Sequence, residues 1–515
     1  MTVPHSESSS EASPPQDPLE NPPGEECGVF GVWAPGEDVA KLSYYGLHAL
    51  QHRGQEAAGI AVSDGSRILV VKDLGLVSKV FDESSLSTLT GHIAIGHCRY
   101  STTGAPVWEN AQPIFRTVAS GGCVALGHNG NLVNTLELLE RSTAGAGVLP
   151  VDPKNYNRDT FGTDSDLICG LLAQVAEDPQ LEFEDLGGGR TALERAALKL
   201  LPTLRGAFCL TFLDEHTLYA ARDPWGVRPL CLGRLERGWV VASETSALDI
   251  VGASFVRDIE PGELLAIDMD GVRSTRFASP QPKGCVFEYV YLARPDSVIA
   301  GRSVHAARVE IGRRLAEEHP VDADLVIPVP ESGTPAAIGY AQGSGIPYGQ
   351  GLTKNAYVGR TFIQPSQTIR QLGIRLKLNP MREIIRGKRL VVVDDSIVRG
   401  NTQRALVRML REAGAIEVHV RIASPPVRWP CFYGIDFASP TELIANGADG
   451  PEGIVEGVRR SIRADSLGHI SLEGLVAATE QPPTRLCTAC FNGVYPISLP
   501  EESALGKSVL EGRGA

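Results

Sequence analysis

The chain has 515 residues, 43% hydrophobic and 21% charged, with a net charge of -13. That length suits two to four domains with sizeable cores. The acidic balance argues against a nucleic-acid partner held by a general basic field. No apolar run approaches the ~20 residues of a membrane span, so no membrane association is expected.

The first 26 residues, "MTVPHSESSSEASPPQDPLENPPGEE", contain no Lys or Arg and no apolar stretch. They read as a disordered tail, not as a secretory or transit signal, and a cytoplasmic location is expected. From Cys27 to about residue 270 the chain alternates short strands with Gly-rich turns. "CGVFGVWA", "AGIAVSD", "RILVVKD", "IAIGHCRYST" and "CVALGHNGN" have strand character. "DSDLICGLLAQVAED" and "RTALERAALKLLPTL" carry apolar residues at helical spacing, and a second run of strands from "GAFCLTFLD" to "GWVVAS" follows. Strands, helices and strands again predict two stacked sheets with covering helices. "DIEPGELLAIDMDG" predicts a closing hairpin.

After about residue 285 helices and strands alternate singly: "VHAARVEIGRRLAEEH", "DLVIPVP", "TPAAIGYAQGSG", "RLVVVDDS", "TQRALVRMLREAGA", "EVHVRIASPP". The strands are apolar throughout, which predicts a parallel, doubly wound sheet with ligands at the strands' C-terminal ends. The last residues, from 498, read as a polar tail.

The most specific stretch is "RLVVVDDSIVRGNT", residues 389–402. A buried strand ends at Asp394 and Asp395. A short loop, Ser396, Ile397, Val398, Arg399, Gly400, Asn401 and Thr402, then opens a helix. Loop N–H groups and the helix N-terminus form an anion cradle, and the two acids suit a ribose diol or a hard cation. This resembles the 5-phosphoribosyl-1-diphosphate (PRPP) motif of type I phosphoribosyltransferases. That resemblance implies that "VIPVPESGTPAAIGYA" is the loop meeting pyrophosphate and one Mg2+ per subunit. Ser332 would be its metal-side oxygen, beside Asp394 and Asp395. Residues 352–380 carry five Lys or Arg. They are expected to form a basic lid that excludes water, with Lys354 and Arg360 as phosphate contacts.

Cys27 stands where the tail meets apolar chain. If the tail were removed as a propeptide, Cys27 would carry both a thiol and a free α-amine of pKa about 7.7–8.0, and the amine could serve as the base. "CGVFGV", "LHALQHRGQEAAGI", "GHCRYSTTG", "GHNGNLVN" and "TDSDL" occur in order and resemble the glutaminase domain of class II glutamine amidotransferases. The resemblance implies an N-terminal nucleophile hydrolase sandwich of four layers, αββα. It also implies roles. Arg99 would pair with the glutamine carboxylate and Asp164 with its ammonium, while Arg53 would order the site and Thr102 line it. Asn129 and the Gly130 N–H would form the oxyanion hole. His48 and His52 are spaced i, i+4 but lack the HExxH glutamate, and a structural role is expected for them.

Glutaminase followed by a PRPP motif resembles the layout of the glutamine PRPP amidotransferase family over about residues 27–497. The layout implies a propeptide over 1–26, a glutaminase domain over 27–270 and a phosphoribosyltransferase domain over 271–497. It implies that glutamine, PRPP and water give 5-phosphoribosylamine, glutamate and pyrophosphate, the first committed step of purine synthesis. Ammonia would pass internally from Cys27 to the ribose C1. A homotetramer inhibited by purine nucleotides is also implied.

Five of the ten cysteines, Cys98, Cys123, Cys169, Cys209 and Cys231, have apolar neighbours and are expected to be core thiols. Cys285, Cys431, Cys487 and Cys490 are not of that kind. By spacing alone four such thiols suit zinc or a [4Fe–4S] cluster equally. The family resemblance favours the cluster, because its propeptide-bearing class has four matching cysteines. Two rivals stand: another class II amidotransferase with a different acceptor, and a PRPP-sensing regulator without catalysis. The ATP-binding S-G-G-x-D-S loop that the first might need is absent. The complete Cys27 set speaks against the second.

Overall fold

The computed structural model describes residues 27–100, 107–118, 121–143, 162–178, 191–355, 377–435, 441–447 and 453–500. The expected propeptide, Thr102, Arg360 with most of the basic lid, and residues 501–515 lie outside the described residues.

The first half contains two antiparallel sheets. One has seven strands in the order β11-β9-β10-β1-β4-β2-β3. These are β1 (Gly28–Trp33), β2 (Ala57–Ser63), β3 (Ile68–Leu74), β4 (Ile93–Arg99), β9 (Cys231–Leu235), β10 (Gly238–Ala242) and β11 (Ser254–Asp258). The other has six, in the order β13-β12-β8-β7-β6-β5. They are β5 (Ile114–Thr117), β6 (Cys123–Leu132), β7 (Gly206–Leu213), β8 (Leu218–Arg222), β12 (Glu263–Asp268) and β13 (Gly271–Arg276).

Period-two alternation sorts the side chains into layers. Val29, Ile95, Ala125, Cys209 and Leu265 pack between the sheets. Phe30, Val32 and Ala94 face outward, under helices α1 (Val39–Ala49) and α4 (Thr245–Ile250). Leu126, Phe208 and Phe212 face outward on the other side, under α2 (Asp164–Ala176) and α3 (Ala192–Leu200). Both faces of the central strands are buried, so they read as nearly continuous apolar runs. The expected αββα sandwich is present. The expected boundary at 270 cuts a hairpin: β13 pairs with β12 from Asp268–Gly271 to Glu263–Arg276. The first domain therefore runs to residue 276, because an edge strand cannot leave its sheet without orphaning backbone donors and acceptors.

The second half has four parallel strands in sequential order: β14 (Leu325–Pro328), β15 (Arg389–Asp394), β16 (Glu417–Ile422) and β17 (Ser466–His469). A bridge from Val326 to Tyr348 extends the sheet on the other side of β14. From β14 the chain therefore moves outward to Tyr348, then returns past β14 to β15. The gap between the C-terminal ends of β14 and β15 is the topological switch point. Helices α5 (Val304–Glu318) and α6 (Thr334–Ser344) cover one face. Helices α7 (Asn401–Glu412) and α8 (Ile454–Ile462) cover the other. The sheet is doubly wound, as expected. The expected tail from 498 begins later, since Ile497 is buried and Leu499 still packs on the core.

Candidate functional site

Cys27 immediately precedes β1, and the antiparallel register sets Gly28 opposite Cys98 at the end of β4. The Cys27 thiol donates to the Tyr100 carbonyl at 3.4 Å, and the Tyr100 N–H donates back to the sulfur at 3.5 Å. The thiol is buried, and burial pushes its pKa up to about 11 despite the Tyr100 hydrogen bond and the Arg99 charge. Glu56 and Asp164 push in the same direction as burial. Arg99 and Asp164 thus both act on the sulfur, as a site for an α-amino acid would need.

Asp164 begins α2, with Thr163 as its N-cap. Its carboxylate accepts from the Leu132 N–H at 3.1 Å and the Ser165 N–H at 2.9 Å. Asn129 is on β6. Ala125 and Gly127 of that strand face the opposite sheet, and strand periodicity turns Asn129 the same way. His97 of β4 crosses the gap, its Nε2 bonded to the His128 carbonyl at 3.0 Å. Burial holds His97 neutral, with a pKa lowered to about 3, so Nε2 is the donor. The Asn129 amide is buried, and neither its Nδ2 nor its Oδ1 has a partner among the described residues. A buried amide without partners costs about 1–3 kcal/mol. An incoming carbonyl oxygen would satisfy it. Gly130 has φ +137°, and a Cβ there would lie 2.1 Å from the Ala207 carbonyl oxygen, so only glycine fits.

Arg53 is fully buried, and its guanidinium donates to Glu244 and, at 2.7 Å, to Glu288. These two carboxylates fix its guanidinium in place. His52 bonds the same Glu244 at 2.7 Å, which is the structural role expected of it. Glu244, Glu288, Arg228 and Arg308 are buried charges that no motif announces. Single charged residues inside apolar runs, as in "GCVFEYVYLA", were the available signal.

At the switch point, the expected residues meet. Val329 N–H donates to the Val393 carbonyl at 2.9 Å, and Gly333 packs against Asp394. Asp395 is hydrogen-bonded to Ser332 and, at 2.6 Å, to Ser396. Asp394 accepts from Gln403. Burial, and for Asp394 its neighbour Asp395, pushes both carboxyls up. Gly400 caps α7 with φ +74°. Ile397 and Val398 have buried side chains in the core, so only their backbone can serve the cradle. Arg399 is paired with Glu442 at 3.4 Å, Thr402 is exposed beside the helix N-terminus, and the Asn401 side chain accepts from Arg404. Lys354 is exposed at the end of a short strand, Leu352–Lys354.

Two hard carboxylates and a hydroxyl are the oxygen donors that Mg2+ takes, with remaining positions left to water and substrate phosphate. The four late cysteines also converge. Cys285 is in register with Cys487. Cys490 senses the charges of Cys285, Cys487 and Cys431. Burial raises the Cys285 thiol to about 11, and Arg228 acts against that rise. Among the described residues no three His, Cys, Asp or Glu side chains could hold one metal ion. Four thiols brought near one another are a donor set that an iron–sulfur cluster takes, one thiolate to each iron. The five expected core thiols are buried, except Cys123, which is half-buried because β6 begins there near the sheet's end.

A profile of the glutamine amidotransferase domain matches residues 187–250, and one of the phosphoribosyl transferase domain matches residues 303–424. The amidophosphoribosyltransferase of Mycobacterium tuberculosis is 74% identical over 491 residues, 95% of this chain and 90% of that protein. That of Bacillus subtilis is 44% identical over 486 residues, 93% and 96% of the two chains. The solved glutamine PRPP amidotransferase from B. subtilis complexed with ADP and GMP is 43% identical. It has a TM-score of 0.80, covering 92% of this chain and 98% of that one. Among the described residues no helix is long and apolar enough to cross a membrane.

Proposed function

Since the chain belongs to the amidophosphoribosyltransferase family, we propose how its residues divide that family's reaction. The chain is a pentosyltransferase with glutamine amidotransferase activity. Glutamine, PRPP and water give 5-phosphoribosylamine, glutamate and pyrophosphate, in purine synthesis.

In the first half, removal of residues 1–26 frees the α-amine of Cys27. The amine takes the thiol proton and the sulfur attacks the glutamine amide carbon. Arg99 holds the substrate carboxylate and Asp164 its ammonium. Thr102 lines the same site. Asn129 Nδ2 and the Gly130 N–H receive the oxyanion. As the C–N bond breaks, the ammonium form of the amine returns its proton to the leaving nitrogen and ammonia departs. Water then hydrolyses the thioester to glutamate. The partnerless, buried Asn129 amide carries this reading.

In the second half, the backbone of residues 396–402 cradles the 5-phosphate, and Asp394 and Asp395 lie by the ribose hydroxyls. Lys354 and Arg360 contact phosphate when the basic segment closes. Asp394, Asp395 and Ser332 are the group that would hold Mg2+, which supplies charge stabilisation for departing pyrophosphate when bound. Ammonia travels internally from Cys27 and attacks C1 of the ribose. Cys285, Cys431, Cys487 and Cys490 would hold a [4Fe–4S] cluster; the reaction transfers no electrons, so that group would be structural or oxygen-sensing. Purine nucleotides bind as inhibitors, in keeping with the ADP and GMP on the B. subtilis protein. The enzyme works as a cytoplasmic homotetramer.

The test is pyrophosphate release from PRPP that depends on glutamine. Cys27→Ala should abolish it and leave release driven by ammonia. Survival of both activities would remove Cys27 from the mechanism.

A further inference from the structure

Behind β6, on the side where Gly130 meets the second domain, the segment of residues 431–435 packs directly on the strand. Gly434 has φ +118°. A Cβ built there would lie 3.3 Å from the Gly130 Cα, 3.4 Å from its carbonyl carbon and 3.5 Å from Arg228 Nε. Next along the strand, Asn131 Nδ2 donates to the Phe432 carbonyl at 3.2 Å. Arg228, fully buried in the first domain, donates to the Tyr433 carbonyl from Nε at 3.1 Å and from Nη2 at 2.9 Å. Its Nη1 stands 3.7 Å from Glu288. The far end of Tyr433 is fixed too. Its hydroxyl donates to the Ile497 carbonyl at 2.8 Å and accepts from the Ile497 N–H at 3.1 Å.

We propose that residues 431–435 are a backstop from the second domain that positions the oxyanion-hole backbone at Gly130. Gly434 and Arg228 are its positioning residues. Gly130 is trapped between two backbones: a Cβ of its own has no room against Ala207, and a Cβ at Gly434 would make Gly130 give by a few tenths of an ångström. Its φ of +137° is held from both sides. An oxyanion donor works only if it already points where charge will develop, so a shift of a few tenths of an ångström weakens it. The first domain alone supplies the donors, and the second supplies the surface that keeps one of them aimed. Arg228 makes that surface rigid by holding Tyr433 with a two-pronged grip that lysine cannot reproduce.

The proposal rests on Asn129 and Gly130 being the oxyanion hole, and the experiment separates the two ideas. Glutamine hydrolysis is measured for Gly434→Ala, Arg228→Lys and Asn129→Ala in the full chain. Binding of glutamate γ-semialdehyde, whose adduct with the thiol presents an oxyanion, is measured beside it. Ammonia-driven amination of PRPP checks the fold. Gly434→Ala should lower kcat about tenfold, a fraction of the 10²–10³ that deletion of a donor removes. KM for glutamine should stay within about twofold, and the semialdehyde should weaken in step with kcat. Arg228→Lys should show a smaller loss with the same signature. If Gly434→Ala loses the ammonia reaction as well, Arg228→Lys decides alone. Unchanged kcat and semialdehyde binding in the variant that folds, while Asn129→Ala loses at least a hundredfold, would overturn the backstop and leave the oxyanion hole standing. An unaffected Asn129→Ala would overturn the oxyanion hole itself.

Discussion

The pH dependence of glutamine hydrolysis tests the terminal-amine mechanism most directly. In the peptide-bonded chain burial raises the Cys27 thiol to about 11. At pH 7 that leaves about one thiol in ten thousand ionised, a deficit of about 5 kcal/mol if thiolate had to form unaided. A neighbouring amine with a pKa of about 7.7–8.0 makes prior ionisation unnecessary, because it takes the proton as the sulfur attacks. The amine is active only when unprotonated. Hydrolysis should therefore rise about tenfold per pH unit below 7.7 and level off near 8. Without such a base the rise would continue towards the thiol's own value of about 11. The assay is initial glutamate formation at saturating PRPP, from about pH 6 to 10, as kcat/KM for glutamine. A tenfold climb persisting above about pH 9 would refute the amine as base. Protein with Met1 retained should lack the plateau and be nearly inactive, and N-terminal sequencing of active protein should begin at Cys27.

Three further outcomes follow from the same structure. Asn129→Ala should lower kcat for hydrolysis by about 10²–10³ with little change in KM, read in the same glutamate assay. Anaerobically purified protein should be brown with about four irons per chain, and Cys431→Ser should bleach it; a colourless protein carrying zinc would refute the cluster. His97 is held neutral down to about pH 3, whereas the unfolded chain takes up that proton near pH 6.5. Below pH 6.5 the unfolded state thus binds more protons, and this contribution is lost at about 1.4 kcal/mol per unit as pH falls towards 3. Denaturant unfolding at pH 7 and pH 5 should show a smaller loss for His97→Gln than for the parent, though the variant is weaker at pH 7.

Local chemistry was legible wherever one continuous stretch builds its own site. Residues 389–402 contain a strand, two acids, a loop and a helix start. Their geometry follows from chain connectivity, and the structure adds Ser332 from the next strand by the ordinary parallel pairing of β14 with β15. Helices α5, α6 and α7 fall where apolar spacing places them. The edge of the first domain was less legible, since a half-buried, mostly polar strand such as Gly271–Arg276 has little apolar pattern to mark it. Its membership is settled by ladder hydrogen bonds to Glu263–Asp268.

From the sequence by itself come the candidate nucleophile, the candidate phosphate cradle and the order of the two domains, because each is written in neighbouring residues whose backbone conformation is local. Arg53 and Arg228 show the limit of that. Their charges point inward, to Glu244, Glu288 and the Tyr433 carbonyl, partners as far as 235 positions away in the chain. A buried charge takes whichever opposite charge or dipole the packed fold brings to it, and no spacing rule encodes that. The same holds for Gly434 against Gly130 and for Cys285 opposite Cys487. The Gly434 contact exists only once the two domains have docked and the Cys285 pairing only once the second domain has folded, since their cause is excluded volume and desolvation between surfaces that are remote along the chain.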